Sequence, residues 1–339
     1  MDSSHKNMMI EQLPLDFVTM GMFIIDDIIY EDGSEKRQVI GGGGTWALLG
    51  ARLHRPPPSS SRLSMIVHTG HDFPENIKED LFRLDTNTIL RPTPHRLTTR
   101  GLNVYKSGQD RGFTFMTEKQ RVEIIDLDGD LLISKSAHHS LYRLGAIPRF
   151  SLEHAIPSSE TDNTGACSVD HLEQCKEAMK VVTVLTPNHA EACGLLDIPF
   201  EDTLDHAVRV ARTFLEFGVG EGKGCVIIRC GSLGCILADI HGTTHFPAFW
   251  DVRNLNRVID PTGAGNAFCG GLCIGLSITG DTKEAITWAQ VSSSFAIEQI
   301  GMPSVQVIDG TEMWNNEGVQ ERKDRYRERL TGRQNGCPY

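Results

Sequence analysis

A glycine-rich turn between two apolar stretches carries the residues best suited to chemistry, and residues 258–276 read VIDPTGAGNAFCGGLCIGL. The pattern predicts a strand end before the turn and a helix after it. Because the first N–H groups of a helix lack partners within it, Gly263, Ala264 and Gly265 could hold a transferring phosphoryl group. The neutral amide of the next residue, Asn266, forms hydrogen bonds but cannot act as a general base. Taken alone, such a turn is also a common tight connection.

A second candidate site lies near the start of the chain. Asp26 falls within an apolar stretch at residues 17–29, FVTMGMFIIDDII, which predicts one buried strand. After a predicted turn, a glycine run with a threonine opens an apolar helix that ends near residue 53: Gly41, Gly42, Gly43, Gly44 and Thr45. An acid and a glycine-rich backbone turn can bind the hydroxyl groups of a small ligand. Alternatively, Asp26 ends a strand and the glycines form a flexible turn.

Two short motifs lie in the second half of the chain. The motif T-P-N-H-A-E places Asn188 and Glu191 three residues apart, and R-C-G-S-L-G places Arg229 before Gly231 and Gly234. Carboxylates are ligands that Mg²⁺ prefers, and arginine binds phosphate groups. Each motif also has a simpler interpretation, because Asn and Glu at this spacing form a capping box at a helix start. Glycines like these also occur in ordinary turns between strands.

Taken in order, these motifs resemble the landmarks of the pfkB (ribokinase-like) carbohydrate kinases. D-P-T-G-A-G-N is similar to the family signature D-T-x-G-A-G-D, whose last Asp accepts a proton. Asp26 and the glycine run resemble the sugar-site elements, and T-P-N-H-A-E resembles the family segment T-P-N-x-x-E. Residues 292–303 resemble the helix and loop that close over adenine. The resemblance covers about residues 15–310 and is greatest to a fungal branch of the family.

This resemblance implies a reaction and assigns roles to residues. The expected activity is ATP-dependent phosphoryl transfer to a hydroxyl of a sugar or polyol-like molecule, with Mg²⁺ held indirectly by Glu191 through water. The turn residues 263–265 form the implied anion hole, and Asn266 stands at the base position. The implied substrate-binding residues are Asp26, Gly41, Gly42, Gly43 and Thr45. The implied nucleotide-binding residues are Asn188, Glu191, Arg229, Gly231, Gly234, Asp260 and Thr262. A monovalent cation near Asp260 and a homodimer are further possibilities from the family.

Two positions depart from the family pattern: Asn266 replaces the usual Asp, and Thr45 stands where an Asn is usual. General-base help is worth about 10² to 10⁴ in rate, so we expect a slow kinase. Three alternatives stay open: a neighbouring acid that substitutes for the base, an inactive nucleotide- or sugar-binding pseudokinase with a regulatory role, and an accessory enzyme of fungal specialised metabolism.

Alternation of apolar strands and helices in the second half predicts an α/β fold with parallel βαβ units. The resemblance implies a ribokinase-like three-layer α/β/α domain at residues 15–310, with a mainly parallel central sheet and a small β lid. Residues 30–40 and 91–117 are the expected lid segments, and 311–339 a charged helix or tail. The elements expected from local patterns are strands at 38–40, 65–69, 131–133, 181–185 and 225–228, helices at 170–179 and 204–217, and a loop at 157–168.

Composition restricts the classes of function. The 339 residues include 40% hydrophobic and 23% charged residues, and the net charge of -11 argues against binding to nucleic acid or an anionic membrane. Without a secretory signal or a long apolar segment, the expected location is the cytoplasm. The nine cysteines include no C-x-x-C pair, which favours buried reduced thiols. The spacing of Cys and the 13 His suggests no metal site.

Overall fold

The structure, a computed structural model, describes residues 14–105, 111–132, 134–141, 144–148 and 169–334. The strands are β1 (Phe17–Thr19), β2 (Ile24–Ile29), β3 (Glu35–Gly41), β4 (Leu63–Thr69), β5 (Asn87–Pro92), β6 (Arg100–Tyr105), β7 (Arg111–Phe115), β8 (Ala137–Leu141), β9 (Leu144–Pro148), β10 (Val182–Thr186), β11 (Cys225–Arg229), β12 (Cys235–Asp239), β13 (Gly242–Phe246), β14 (Val305–Ile308), β15 (Thr311–Trp314) and β16 (Glu317–Gly318). The helices are α1 (Gly43–Arg52), α2 (Glu75–Phe82), α3 (Leu172–Val181), α4 (His189–Leu196), α5 (Leu204–Glu216), α6 (Ala264–Thr279), α7 (Thr282–Ala296) and α8 (Val319–Gln334).

The central sheet has the order β13-β12-β11-β10-β9-β8-β1-β4-β5. Its pairings make β9 and β12 run opposite to the other seven strands, so the sheet is mainly parallel. Successive side chains of a strand point to opposite faces. Accordingly, Cys225 and Ile227 of β11 pack in the core that contains α1, α6 and α7. Val226 and Ile228 pack with α3, α4 and α5 on the other face. The fold is therefore a three-layer α/β/α arrangement with a small β lid.

The lid is a four-stranded sheet in the order β3-β2-β6-β7. Its strands correct one expectation, because residues 17–29 form two strands in two sheets rather than one buried strand. The break lies at Gly21, whose N–H donates to Thr19 Oγ1 at 3.1 Å. A Cβ on Gly21 would lie 2.4 Å from the backbone nitrogen of Gly44, so only glycine permits this close crossing. The chain thus leaves the central sheet at β1 and enters the lid at β2.

Most of the other helices and strands expected from local sequence patterns are confirmed, and one is wrong. The helices expected at 170–179 and 204–217 correspond to α3 and α5, and the expected strands at 38–40, 65–69, 181–185 and 225–228 lie in β3, β4, β10 and β11. The strand expected at 131–133 is wrong: Gly129–Leu131 is a short 3₁₀ turn and the nearby strand is Ala137–Leu141. The reason is that Leu131 is buried in a cluster with Val18 and Leu127 instead of pairing in the sheet. The expected loop at 157–168 lies outside the described residues.

The charged helix or tail expected at 311–339 is confirmed only in part: residues 319–334 form α8, but β15 and β16 at 311–318 form a small antiparallel sheet with β14. The helix is also not simply solvated. In α8, Arg322 and Tyr326 are each 1% exposed. Arg322 forms ion pairs with Glu298 at 2.9 Å and Glu317 at 2.7 Å. Within the described ranges, no helix is both long and apolar enough to cross a membrane. The seven cysteines in those ranges are buried and form no disulfide: Cys175, Cys193, Cys225, Cys230, Cys235, Cys269 and Cys273.

Candidate functional site

The N-cap and the first residues of α6, residues 263–266, are called the glycine turn below. Gly263 is the N-cap of α6 with φ +84°, and a Cβ there would lie 2.2 Å from the ring of Trp46. A side chain would therefore be strained and would also collide with α1. The N–H of Ala264 donates to the carbonyl of Pro261 at 3.2 Å. The N–H groups of Gly265 and Asn266 follow in the first turn, where a helix offers no acceptor of its own.

A single guanidinium joins three of the motifs found in the sequence. Arg229 Nε donates to the carbonyl of Thr186 at 3.0 Å, and Nη2 lies 3.6 Å from Glu191 Oε2. A Cβ on Gly265 would lie 2.0 Å from Arg229 Nη1, so the guanidinium rests directly on the glycine turn. Nη1 makes no hydrogen bond to any residue that the structure describes. The arrangement places a positive charge with an available donor beside the N-terminus of α6, where an anion is favoured.

Asn188 and Glu191 form the capping box that their spacing also predicted. Asn188 Oδ1 accepts from the Glu191 N–H at 2.8 Å, and Glu191 Oε2 accepts from the Asn188 N–H at 3.0 Å. Glu191 Oε1 makes no hydrogen bond within the described ranges, and the side chain is 24% exposed. The box fixes the start of α4 next to Arg229 and leaves one carboxylate oxygen for another ligand.

Gly231 and Gly234 lie in the short connection between the antiparallel strands β11 and β12. Gly234 has φ +95°, and a Cβ would lie 2.0 Å from the carbonyl oxygen of Phe246. Its own carbonyl accepts from the Cys230 N–H at 2.7 Å. Gly234 is therefore required by the turn itself, whatever ligand the turn meets.

Between the lid and the glycine turn lies a cavity, called the lid pocket. It is lined by Asp26, Asp260, Asn103, Tyr105, Thr262, Ile28, Val39, Ile40, Trp46 and Gly301. Tyr105 of β6 closes one wall, because its hydroxyl donates to Asp260 Oδ1 at 2.9 Å and lies 2.8 Å from Thr262 Oγ1. Asp260 Oδ1 also accepts from the Thr262 N–H at 2.9 Å. The lid is thus hydrogen-bonded to the residues that lead into the glycine turn.

The structure separates the two adjacent acids of β2. Asp26 is 7% exposed and lines the lid pocket. Cβ atoms on Gly41 and Gly101 would lie 1.9 and 2.6 Å from its carboxylate oxygens, so two glycine backbones enclose the carboxylate. Asp27 instead pairs with Arg37 at 2.8 Å on the outer face of the lid. Hydrogen bonds from Arg37 and the Gln38 N–H lower the pKa of Asp27 despite the opposing effect of its partial burial. Of the two adjacent acids, Asp26 lines the pocket and Asp27 does not.

The two positions that depart from the family pattern lie on two different helices that meet at the start of α1: Thr45 belongs to α1, and Asn266 belongs to the first turn of α6. Thr45 is buried and donates its hydroxyl to the carbonyl of Gly41 at 2.9 Å. Asn266 lies across from Gly43, where a Cβ would be 3.1 Å from Asn266 Oδ1. The glycine turn and the glycine run at 41–44 are therefore in contact, with the amide of Asn266 between them.

Sequence reasoning missed three residues of β6 that face the same side. Gly101 lies against Asp26, and Asn103 and Tyr105 line the lid pocket. Their spacing of two is the period of a strand face, so alternation along β6 is the signal that could have identified them. Tyr30 was missed as well. Its ring stacks on that of Tyr105 at 5.6 Å, and burial followed by the charge of Asp260 raises the pKa of its phenol.

Comparison with known proteins identifies relatives over most of the chain. A model of the pfkB family of carbohydrate kinases matches residues 121–306. An uncharacterised protein of Schizosaccharomyces pombe is 33% identical over 348 aligned positions, which cover 93% of this chain and 94% of that protein. Protein MAK32 of Saccharomyces cerevisiae is 31% identical over 324 positions, which cover 88% of each.

The solved structures show the same fold. An Escherichia coli protein described as a ribokinase II, in complex with ATP and Mg²⁺, matches with a TM-score of 0.61 at 18% identity. The match covers 93% of this chain and 99% of that one. Identity this low supports the ribokinase-like fold alone and assigns no substrate.

Proposed function

Because the chain belongs to the pfkB family of carbohydrate kinases, we propose that it transfers the terminal phosphoryl group of ATP to a hydroxyl of a sugar or polyol-like molecule, slowly. The observation that carries the proposal is the Arg229 guanidinium resting on Gly265, where a Cβ would be 2.0 Å from Nη1. A cation and helix N–H groups that converge on one point suit a transferring phosphoryl group, whose transition state needs positioning and charge neutralisation.

On the phosphate side, the N–H groups of Gly263, Gly265 and Asn266 and the Nη1 donor of Arg229 would hold the phosphoryl oxygens, whereas the Ala264 N–H of the expected anion hole already donates to Pro261. Thr262, Asp260 and the turn at Gly231 and Gly234 are the further residues we assign to the nucleotide, and Asp260 to a monovalent cation. Glu191 Oε1 has no partner within the described ranges, so a hydrated Mg²⁺ fits beside it, with Asn188 fixing the helix start. When bound, Mg²⁺ supplies neutralisation of phosphate charge. Asn188 and Glu191 thus position the ion, and Arg229 holds Glu191 in place.

On the acceptor side, Asp26 would accept hydrogen bonds from the hydroxyls of the substrate. Its carboxylate is buried and faces the pocket between Gly41 and Gly101, so a hydroxyl bonded to it is shielded from water. Asn103 adds an amide on the same wall, and Trp46 supplies an apolar surface. An acid, an amide and a flat ring in one small cavity suit a molecule with several hydroxyls.

Asn266 determines the expected rate. Its amide can orient the attacking hydroxyl but cannot accept the hydroxyl proton. Proton transfer to a general base typically increases the rate about 10²- to 10⁴-fold. A loose transition state reduces this need, because the hydroxyl keeps its proton until late in the reaction. We therefore expect slow turnover rather than none.

A second candidate is a nucleotide- or sugar-binding protein that does not transfer phosphate. It is favoured by the two altered positions together, because Asn266 lacks the base and the Thr45 hydroxyl donates to the carbonyl of Gly41 at the end of β3. The phosphate side would then bind ATP, and the closed lid would report occupancy to another protein. A cytoplasmic location and a homodimer stay predictions under either candidate.

One experiment separates the candidates: ATP turnover of the wild type, Asn266→Asp and Asn266→Ala with a panel of sugars, polyols and nucleosides. The proposed kinase predicts slow wild-type turnover, an increase of about 10² or more in Asn266→Asp and no increase in Asn266→Ala. Thermal shift with Mg-ATP accompanies each assay, because saturation at 100 times Kd adds about 2.7 kcal/mol of stability. ATP binding without turnover in any variant supports the second candidate. Absence of ATP binding contradicts the kinase and the nucleotide-binding form of the second candidate, and leaves only the sugar-binding form.

A further inference from the structure

A buried cluster of three metal-binding side chains lies outside the site described above. His189 and Cys193 are four residues apart on α4, which places them on one face of the helix, and His206 lies on α5. The three are 3%, 1% and 6% exposed. One ligand atom from each lies within 4.8 Å of the others. The sequence spacing H-x₃-C-x₁₂-H did not predict a metal site, because His206 approaches the other two residues only through the turn between α4 and α5.

The distances between these atoms approach those around a bound ion. His189 Nε2 and His206 Nδ1 are 2.8 Å apart, and Cys193 Sγ lies 4.0 Å from His206 Nδ1. Two nitrogens on tetrahedral Zn²⁺ lie about 3.3 Å apart, and a nitrogen and a sulfur about 3.6 Å, given bond lengths of about 2.0 to 2.3 Å. These two separations therefore need a change of about 0.5 Å or less, and the ligand atoms of His189 and Cys193 lie within 4.8 Å of each other. The other ring nitrogen of His189, Nδ1, is buried without a hydrogen-bond partner among the described residues.

We propose that His189, Cys193 and His206 bind a transition-metal ion of the Zn²⁺ class and that the bound ion fixes the start of α4 against α5. Imidazole and thiolate are the ligands that such ions prefer, whereas Mg²⁺ and Ca²⁺ prefer oxygen. Water or the carboxylate of Asp202, which acts on His189 from the connection between the helices, completes four ligands. His189 stands between Asn188 and Glu191, so the ion would stabilise the segment that faces Arg229.

Burial favours the neutral form of two of the proposed ligands. Burial, followed by the neighbouring His206, lowers the pKa of His189, and burial, followed by the charge of Glu201, raises the pKa of Cys193. A bound ion would take the place of the thiol proton of Cys193.

The test uses the full chain, freed of metal with a chelator and then titrated with Zn²⁺ and with Co²⁺. We expect one Zn²⁺ per chain, a rise in Tm, and a Co²⁺ spectrum with tetrahedral and thiolate-to-metal bands. Cys193→Ala should remove the thiolate band and weaken Zn²⁺ binding about 100-fold, and His206→Gln should weaken it similarly. The matched control is Cys175→Ala, because Cys175 is also buried in this core but lies outside the cluster.

Several outcomes overturn the proposal. If Cys193→Ala binds Zn²⁺ as tightly as the wild type, the ion binds elsewhere. An octahedral Co²⁺ spectrum without a thiolate-to-metal band also contradicts the proposal. Because this spectrum is measured on the wild type, it tests the proposal even if the variants fail to fold. If no metal raises the Tm, His189 and His206 form only a hydrogen-bonded pair.

Discussion

The glycine turn and the lid pocket meet at Asp260 and Thr262, yet they are built in different ways. In the glycine turn, backbone packs against neighbouring side chains with no space between them: Gly263 against the Trp46 ring and Gly265 against the Arg229 guanidinium. The lid pocket is lined by both polar and apolar side chains, most of them on strands of the lid, and its closing contact is one tyrosine hydroxyl. The first region is fixed by shape, whereas the second is held by a few hydrogen bonds.

Under the proposed function, this difference corresponds to what each region would recognise. The phosphates of a nucleotide are the same in every turnover, so a rigid cradle of N–H groups loses no energy to reorganisation. An acceptor must enter and leave, so its pocket needs a lid that opens. The departure from the family pattern, Asn266, lies where the two regions meet, against Gly43 of the acceptor side. Changes at either region should therefore have effects of different kinds and sizes.

The largest expected effect comes from removing the positive charge of Arg229, which lies against the glycine turn. Arg229→Met should weaken Mg-ATP binding or turnover about 10²- to 10³-fold, because a preorganised donor to a phosphoryl group is lost. Affinity is measured by calorimetry, and turnover by release of ADP. Arg209→Met is the control, since Arg209 is an exposed arginine that pairs with Glu201 away from the site. Equal ATP affinity in the two variants would show that Arg229 only braces Glu191.

The tight packing of the glycine turn can be tested by comparing substitutions of two glycines. Gly263→Ala should lower the free energy of unfolding by about 3 kcal/mol, because the positive φ is strained and the Cβ meets the Trp46 ring. Gly280→Ala carries a similar positive φ but has no atom within 4 Å of its Cβ, so about 1 kcal/mol is expected. Urea denaturation measures both. A loss of similar size in the two variants would mean that Trp46 yields and that the turn is less rigid than its packing indicates.

The glycine turn could be predicted from the sequence better than the lid pocket could. The glycine turn, the capping box of Asn188 and Glu191, and the helices α3 and α5 depend on residues close together in the chain, whose types restrict the backbone locally. The family resemblance then gave the fold. The contact between Arg229 and Gly265 could not be predicted from the sequence, because β11 and α6 are brought together only by the sheet and its packing.

The lid and the break in the first strand could not be predicted in the same way. Residues 17–29 are mostly apolar up to the adjacent acids Asp26 and Asp27, and nothing local shows that Gly21 must cross the backbone of Gly44. The roles of Gly101, Asn103 and Tyr105 depend on the parallel pairing of β2 with β6, which joins segments far apart in the chain. Long-range pairing is the information that a single sequence lacks.

The acceptor side is tested by its buried acid. Asp26→Asn should reduce kcat/KM for the acceptor about 10- to 100-fold, because hydrogen bonds to a charged group are worth about 1.5 to 3 kcal/mol. ATP affinity should not change, which separates this variant from Arg229→Met. Asp27→Asn is the control, since Asp27 pairs with Arg37 outside the pocket. If Asp26→Asn lowers ATP affinity instead, the two regions are coupled and the assignment of Asp26 to the acceptor fails.

The smallest expected effect concerns the contact that closes the lid. Tyr105→Phe removes a hydroxyl that bonds Asp260 at 2.9 Å and Thr262 at 2.8 Å, so a loss of about 1 kcal/mol in stability is expected, with an increase in KM of a few fold. Tyr30→Phe is the matched control, because the buried Tyr30 hydroxyl has no hydrogen-bond partner in the described ranges, and its removal should be neutral or stabilising. Both keep the stacked rings. Equal Tm changes would show that ring packing, and not the hydroxyl of Tyr105, holds the lid on the glycine turn.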